Sequence, residues 1–352
     1  MDGECGVKVA TGAEGGGVVV HDDPAADLLS RAKAGDAGAF RLLTEPHRAE
    51  LQVHCYRMLG SVEDAEDAVQ DTLFSAWQAL AGFDRRAALR TWLYRIATNR
   101  CLNLRRAAVR RPPKQMALPM RELPESNGLG EVVWLQPYPD SLLEQTRDLA
   151  PGPHARLEQN ESISLAFVTA LQLLPPRQVA VLVLRDVLGF HAKEVAHMVD
   201  SSLDSVNSVL KRARSSLRAA ARPDQPPRPK SPDEQAIVAK FVSAYESADV
   251  DSLVTLLTDD AFMWMPPMPF EYKGPDAVAR LIRSVFDTGR RFDLVPTRAN
   301  GQPAFGSYVR TSDSKYASGL IVLGLSGSRI CSLTRFDRGV FPWFGLPRTL
   351  TD

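Results

Sequence analysis

Cysteine is scarce in this chain and is never clustered, which argues against a metal site built on thiolates. The 352 residues include four cysteines and six histidines, with no CxxC pair and no Cys/His cluster. Structural zinc sites need such close spacing, so we expect no metal and no bound cofactor. The wide separation of the cysteines also gives no sign of a disulfide framework, which favours a cytoplasmic protein.

Long apolar runs and a secretion signal are missing as well. The most apolar stretches, "VAVLVL" and "GLIVLGL", fall short of the roughly 20 residues that span a bilayer. The opening run "MDGECGVKVATGAEGGG" has acids and glycines where a signal peptide has a basic start and an apolar segment. We expect residues 1–23 to form a disordered tail.

Charge is balanced overall but segregated along the chain. Lysine and arginine together number 42, as do aspartate and glutamate, so the net charge is zero. The segment 63–71 nevertheless carries acids without a base, and the segment 85–114 carries bases without an acid. Such asymmetry indicates that separate surfaces bind separate partners.

Composition divides the remaining chain into three domains and two linkers. Residues 24–108 and 156–222 have helical patterning, whereas the density of proline and glycine in 109–155 is typical of a linker. A second, proline-rich linker covers 223–232. Residues 233–352 combine helices with alternating β-rich runs. We therefore predict a multidomain protein with two all-α domains followed by an α+β domain.

The stretch "TWLYRIATNRCLNLRR" predicts a helix with two distinct faces. Leu89, Trp92, Leu93, Ile96 and Ala97 share one face, so Trp92 is expected in the core rather than as a base-stacking platform. Arg95, Asn99, Asn103 and Arg106 form a polar stripe on a second face, and Arg100 joins them as a candidate DNA contact. A solvated face is the alternative, but this one lacks acids to form i,i+4 pairs. Arginine and asparagine also pair with phosphates and base edges, which favours DNA binding.

The acidic segment "SVEDAEDAVQDTLFSAW" predicts a helix that meets a protein. Ser61 is a good N-cap, and Asp64 three positions later completes a capping box. Acids in the first turn are favoured by the helix dipole, but Asp71 lies two turns further on. The residues expected to face outward include Glu63, Asp67, Gln70 and Asp71. We expect a basic protein partner at this face.

Residues 174–218 predict a helix-turn-helix unit. The run "HAKEVAHMV" forms the short supporting helix, and "SSLDSVNSVLKRARSSL" the longer one, capped by Ser201 or Ser202. The buried face of the longer helix is expected to consist of Val206, Leu210, Ala213 and Leu217. The candidate DNA-contacting residues are Ser202, Ser205, Asn207, Ser208, Lys211, Arg212 and Arg214. A plain three-helix bundle is the alternative, but the acid-free basic cluster favours DNA.

These segments resemble a known family. "DAEDAVQDTLFSAW", "FDRRAALRTWLYRIATNRCLN" and "LPPRQVAVLVLRDVLGFHAKEVAHMVDSSLDSVNSVLKRAR" are similar to regions 2 and 4 of bacterial sigma-70-type factors of the extracytoplasmic-function group. The match covers roughly residues 30–108 and 156–220. The tail, with "MWMPP", "NGQPAF" and "FPWFGLP", resembles the SnoaL-like domain, of nuclear-transport-factor-2 fold, found in the actinobacterial sigma factor G group.

The resemblance implies partners and roles. Core RNA polymerase would be contacted through its β′ clamp and β flap, and the clamp contacts would be Asp64, Glu66, Asp67, Gln70 and Asp71. The loop 83–90 and the polar stripe of the basic helix would melt and read the −10 promoter element, and the helix-turn-helix would read the −35 element. The linker 109–155 would thread toward the RNA exit channel. Asn207, Ser208 and Val209 replace a Lys-Ser-Arg run common in the family, so the −35 preference is not transferable.

The SnoaL-like fold is a cone of strands with a pocket at its wide end, which here could hold a small ligand. The expected lining is Phe262, Trp264, Met265, Met268, Tyr272, Phe286, Phe305 and Tyr308, although most could simply be core. An isomerase or cyclase with a His or Asp base is the rival function. All histidines lie at or before His197, and Asp259 and Asp260 fit a helix end, so we favour regulation. The aromatic end, Phe341, Trp343 and Phe344, is expected to dock on the sigma domains or the 109–155 linker.

Overall fold

The protein is described by a computed structural model. The residues it describes are 24–84, 88–108, 124–129, 135–147, 162–220, 226–268 and 270–351. They fall into two compact units, 1–45 and 46–352. In the first unit, helix α1 (Pro24–Lys33) precedes the start of α2 (Ala37–Leu59). Asp36 links the two helices there, because it accepts hydrogen bonds from Ala39 N at 3.0 Å and from Arg31 at 2.7 Å. No helix among the described residues is both long and apolar enough to cross a membrane.

The first helical domain continues with three further elements. These are α3 (Val62–Ala79), a 3₁₀ turn (Leu80–Gly82) and α4 (Leu89–Ala108). Ser61 caps α3 as predicted, since its hydroxyl accepts a hydrogen bond from Asp64 N at 3.1 Å. Two more amides of this helix start, Val62 N and Glu63 N, donate to the side-chain oxygen of Gln136 at 2.9 and 3.2 Å. A residue of the predicted linker therefore completes the cap.

Helix α4 buries a face that is rotated from the predicted one. Thr91, Tyr94, Thr98 and Cys101 are buried, whereas Trp92 is only half-buried. Trp92 packs its ring on Phe83, with 4.8 Å between ring centroids. The prediction of Trp92 as a core residue is therefore corrected to a position at the edge of the core. Polar but uncharged residues such as Thr98 occupy the face that the apolar pattern alone did not reveal.

The segment between the helical domains contains regular structure that its composition did not suggest. Residues Gly128–Leu129 form strand β1, and Asp140–Arg147 form helix α5. Both are stabilised by partners from the C-terminal domain. Tertiary contacts thus override the local signal of proline and glycine at these positions.

The second helical domain is the predicted helix-turn-helix. Its elements are α6 (Leu165–Gln172), α7 (Pro176–Leu182) with a π-helical turn (Val183–Val187), α8 (Ala192–Met198) and α9 (Leu203–Ala220). Ser202 caps α9, because its hydroxyl accepts a hydrogen bond from Ser205 N at 3.2 Å. Val206, Leu210 and Ala213 are buried as predicted, and Leu217 is half-buried.

The C-terminal domain is a curved sheet packed on helices. Its helices are α10 (Pro232–Glu246), α11 (Val250–Thr255) and α12 (Pro275–Asp287). Its strands are β2 (Leu257–Trp264), β3 (Phe270–Lys273), β4 (Phe292–Ala299), β5 (Gln302–Arg310), β6 (Lys315–Ser326), β7 (Arg329–Asp337) and β8 (Thr349–Leu350). The order is β1-β3-β2-β7-β6-β5-β4, with β8 on β6, and β2 runs parallel to β7. The α+β prediction is confirmed.

We expect the first helical domain to lose stability as the pH drops below 6.5, because of His54. The ring is fully buried between Thr98, 2.9 Å away, and Tyr94, and burial lowers the pKa of His54 from 6.5 to about 3. The unfolded chain takes up a proton below pH 6.5 and the folded one does not, so the contribution of neutral His54 is lost as the pH falls. The slope is about 1.4 kcal/mol per pH unit. Urea unfolding of the His54→Gln variant should show a shallower decline between pH 7 and 5, and an unchanged decline would contradict this assignment.

Candidate nucleic-acid and protein interfaces

The acidic helix α3 presents a mixed polar and apolar surface. Asp64, Asp67 and Gln70 are exposed, whereas Glu66 and Asp71 are half-buried. Asp71 forms an ion pair with Arg100 of α4. This carboxylate therefore tethers the acidic helix to the basic one, and Arg100 is less free for DNA than the sequence suggested.

Phe74 is a functional candidate that the sequence reading missed. It lies three and seven residues beyond Asp71 and Asp67 on α3, and its relative exposure is 62%. A large apolar side chain exposed among acids is typical of a protein-binding surface, where aromatic anchors contribute much of the affinity. In the sequence, the feature that could have drawn attention to Phe74 is its position in a helical pattern between Leu73 and Trp77.

The polar stripe of α4 is partly covered by the helix-turn-helix. Arg95 donates to the His197 ring at 3.1 Å, and the Asn99 amide donates to Met198 O at 3.3 Å. Thr91 on the same helix lies 3.4 Å from Glu194. Helix α8 therefore engages the two stripe residues nearest the start of α4, although Asn99 itself stays exposed.

The far half of the stripe remains open. Asn103 and Arg106 are exposed, and the Arg106 guanidinium donates to the Asn103 side chain at 3.3 Å. Arg105, on another side of α4, donates to Gln172 O and Leu174 O at 3.1 Å and thus binds the carboxyl end of α6. Among the candidate −10 residues, Arg95 and Asn99 are therefore hydrogen-bonded to α8, whereas Asn103 and Arg106 bond to each other and stay exposed.

The loop before α4 is anchored at its end by Arg90. This guanidinium donates to Glu50 at 2.9 Å and lies over the rings of Tyr94 and Phe190, 4.8 and 5.0 Å from their centroids. Phe190 belongs to the helix-turn-helix, so the contact is a second link between the helical domains. Residues 85–87 of the loop lie outside the described residues.

The recognition helix α9 keeps its outer face open. Asn207, Ser208, Lys211 and Arg212 are exposed, and Ser205 is half-buried beside the cap that Ser202 provides. Arg214 instead donates twice to Asp186, at 2.7 and 2.8 Å. This pair ties α9 to the end of α7, which gives Arg214 a structural role beside the predicted contact with phosphate.

The predicted pocket residues of the C-terminal domain lie on two different surfaces. Phe286 and Phe305 join the aromatic core, which also contains Phe241, Tyr245 and Phe292, with ring centroids 5.3–6.0 Å apart. Because strand residues alternate between faces, Tyr308 points away from Phe305 and packs on Phe341.

Of the five remaining pocket candidates, Trp264, Met265 and Tyr272 are buried, and Phe262 and Met268 are half-buried. Met265 and Tyr272 belong to the core, and the Trp264 indole donates to Met268 O at 3.1 Å. Beneath the sheet, a void of about 10 Å³ between Phe241, Val278 and Leu333 has room for about one water. A small ligand would therefore need these side chains to move.

The two acids considered as catalytic bases lie at the surface. Asp259 and Asp260 are part of strand β2 rather than a helix end, and both are exposed. Asp259 lies 3.6 Å from Arg329, and Asp260 accepts a hydrogen bond from Thr258 at 2.8 Å. Neither carboxylate reaches the interior of the cone.

The aromatic end of the chain docks on its own domain. The 3₁₀ segment Arg338–Phe344 packs on β6, and Phe341 is fully buried against Tyr308. Leu346 covers Gly306, where an added Cβ would approach to 2.8 Å. The prediction that this segment packs on the sigma domains or the linker is therefore corrected, because the outer face of the sheet offers it an apolar site.

The link to the helical domains is made by the β4–β5 hairpin. Asn300, at its tip, has φ +57° and a relative exposure of 1%. Its amide nitrogen donates to the Tyr56 hydroxyl at 2.9 Å and to Ile163 O at 2.7 Å, and its oxygen accepts from Tyr138 N at 2.7 Å. The sequence signals the turn through the Asn-Gly pair but not these contacts.

Comparisons with known proteins agree with this architecture. Family models for Sigma-70 region 2, Sigma-70 region 4 and the SnoaL-like domain match residues 43–111, 164–217 and 238–338. The chain is 43% identical over 324 residues to the ECF RNA polymerase sigma factor SigG of Mycobacterium tuberculosis, covering 89% of this chain and 85% of the relative. It is 30% identical to SigM of the same species over 56% of this chain and 84% of the relative. The crystal structure of M. tuberculosis SigJ matches with a TM-score of 0.57 at 20% identity, covering 85% of this chain and 97% of that one.

Arg212 and Arg214 are expected to respond differently to substitution. Arg212→Ala should weaken binding to all duplex sequences and lower the salt slope by about one, as loss of a phosphate contact does. Arg214→Ala should mainly lower the melting temperature, since it leaves Asp186 unpaired, and Asp186→Asn should reproduce that effect. Fluorescence anisotropy over a salt series and thermal melting measure the two effects. Equal salt slopes for the two arginine variants would contradict the distinction.

Proposed function

The chain belongs to the extracytoplasmic-function sigma factors of RNA polymerase, and from this membership we propose how each surface serves transcription initiation. As a sigma factor it binds core polymerase and promoter DNA. We infer that it works in the cytoplasm, where the polymerase and its promoters are located.

The exposed face of α3 is the proposed site for the β′ clamp. Asp67 and Gln70 supply polar contacts there, and Phe74 supplies an apolar anchor. The helix-turn-helix is the proposed partner of the β flap. The linker 109–155 is proposed to enter the channel through which RNA leaves, as the family resemblance implies.

Helix α4 is the proposed reader of the −10 element, and α9 the proposed reader of the −35 element. The observation that carries this proposal is the pair of basic helix faces, one on each helical domain. Arg95, Asn99, Asn103 and Arg106 line the first, and Asn207, Lys211 and Arg212 lie on the second. Asparagine and arginine side chains bond to base edges and phosphates. As the second helix of its helix-turn-helix motif, α9 is proposed to enter the major groove.

The contact of α8 with Arg95 and Asn99 has a consequence for this proposal. Hydrogen bonds to α8 engage the Arg95 guanidinium and the Asn99 amide, so the chain alone is in a closed arrangement in which DNA would have to displace α8 from these two side chains, although Asn99 itself is exposed. We propose that assembly with polymerase separates the two helical domains and frees both side chains. The C-terminal domain regulates this step through protein contacts, and a small ligand in its cone stays a prediction.

Promoter-dependent transcription tests the proposed function directly. Purified chain with core polymerase should give transcripts from its own promoter, which a DNA-binding fusion enzyme would not.

Asn103→Ala should reduce open-complex formation by roughly tenfold, the scale of one lost base contact, while core binding is unchanged. Permanganate footprinting of the melted −10 region measures this. Unchanged melting in the variant would remove Asn103 from the proposed stripe.

The clamp surface is tested by two substitutions on α3. Asp67→Lys and Phe74→Ala should each weaken binding to core polymerase by about tenfold, because one reverses a charge and the other removes an apolar anchor that the complex would bury. Both side chains are exposed in the free chain, so melting temperatures should not change. Asp259→Lys is the control, since it reverses an exposed charge on the C-terminal domain. Normal pull-down of core by both α3 variants would refute the clamp assignment.

A further inference from the structure

We propose that the C-terminal domain is a binding site for the chain's own inter-domain linker, which it holds in competition with core RNA polymerase. The inference rests on the proposed function, because that function places the same linker inside the polymerase. Two separate stretches of the linker, 124–129 and 135–140, carry the observation. Each is held by a different edge of the C-terminal sheet.

The first stretch adds a strand to the sheet. Gly128 and Leu129 pair antiparallel with Glu271 and Phe270 of strand β3. Edge strands are templates for an added strand, and backbone hydrogen bonds supply the affinity in this mode of peptide binding. The linker therefore occupies the outer edge of β3 in the same way as a bound peptide.

Side chains extend this pairing beyond the two strand residues. The Asn127 amide donates to Lys273 O at 2.7 Å, and its oxygen accepts from Lys273 N at 2.8 Å. The Tyr272 hydroxyl donates to Pro124 O at 2.8 Å. The side-chain amide of Asn127 thus bonds to both backbone groups of Lys273. The backbone of a longer paired strand would otherwise form these two bonds.

The second stretch is held by the tip of the β4–β5 hairpin. Asn300 and Tyr138 exchange hydrogen bonds, from Asn300 N to Tyr138 O at 2.8 Å and from Tyr138 N to the Asn300 side chain at 2.7 Å. Asp140 accepts from Gly301 N at 2.7 Å and lies 3.3 Å from Arg298. The Arg298 guanidinium also pairs with Glu234 of α10 at 2.7 Å. A buried ionic cluster therefore anchors the start of α5.

The same hairpin also forms hydrogen bonds to the chain where the second helical domain begins. Asn300 donates to Ile163 O at 2.7 Å, and the Gln302 side chain accepts from Leu165 N at 3.0 Å. One short turn of the C-terminal domain thus binds the chain on both sides of residues 148–161. The helical domains cannot move apart freely while these bonds are intact.

Linker and first helical domain are joined at the same place. The Tyr56 hydroxyl donates to Gln136 O at 2.8 Å and accepts from Asn300, and the Gln136 side chain caps α3. The fully buried Arg57 donates to Ser162 O at 3.0 Å and to its hydroxyl at 2.7 Å. Withdrawal of the linker would break bonds in all three domains together.

Polymerase and the C-terminal domain therefore cannot hold the linker at the same time. Every backbone group of 128–129 and 138–140 that is bound to the sheet is unavailable to a channel in the polymerase. Only the fraction of molecules with a released linker can assemble, and the apparent affinity for core is reduced by that fraction. Weakening the linker site should consequently tighten assembly.

The test uses two full-length variants that weaken the two edges independently. Asn300→Gly retains the φ +57° turn and removes the side-chain bonds, whereas Asn127→Ala truncates an exposed side chain and leaves the core untouched. Asp313→Gly, at an exposed loop at the other end of β5, is the matched control. Hydrogen exchange should show lost protection at 127–129 or 138–140, and the dissociation constant for core polymerase should fall by about tenfold in each variant.

Two results would overturn the inference. One is unchanged or weaker binding to core by variants whose linker amides exchange faster. The other is a change in core affinity of equal size in Asp313→Gly. If the wild-type chain itself gives no promoter-dependent transcripts, the proposed function fails, and this inference fails with it. Wild-type transcription together with unchanged affinity of the variants would overturn this inference and leave the proposed function standing.

Discussion

The buried side-chain amide of Asn300 is the contact on which the arrangement of the second compact unit depends. It bonds to the first helical domain, the linker and the start of the second helical domain, at distances of 2.7–2.9 Å. A buried polar group must keep its partners, because each unsatisfied one costs about 1–3 kcal/mol. Partial separation of the domains would leave several such groups without water or protein partners. The closed arrangement is therefore expected to open as a unit rather than gradually.

The closed arrangement affects the two proposed promoter-reading surfaces unequally. The helix-turn-helix forms hydrogen bonds to Arg95 and Asn99 through α8, yet its own recognition helix keeps Asn207 and Arg212 exposed. One small domain thus carries one proposed DNA-binding surface and contacts the other. In the proposed function, full use of the −10 stripe requires domain movement, and the SnoaL-like domain, whose interior is filled by aromatic side chains, takes part in that control through the edges of its sheet.

Much of the fold could be predicted from local patterns. The cap at Ser61, the buried residues of α9 and the α+β character of the C-terminal domain follow from spacing and turn chemistry, which act over a few residues. Trp92 was misplaced because an apolar pattern does not register buried threonines such as Thr98. The linker was misjudged because β1 and α5 are stabilised by bonds to distant residues. Phe305 and Tyr308 were assigned to one pocket, although the alternation of strand residues separates them.

The sequence by itself determined the domain order, the basic and polar residues proposed to face DNA, and the acidic surface of α3, because these are properties of contiguous segments. Only the tertiary structure decided which of those residues already have bonding partners within the chain. Asp71 is held by Arg100, Arg214 by Asp186, and Asn99 by the backbone of α8. Tertiary contacts also decided the role of Asn300, which in sequence is half of an Asn-Gly turn. Its three partners lie 137 to 244 residues away in the chain, and no local pattern encodes hydrogen bonds over that separation.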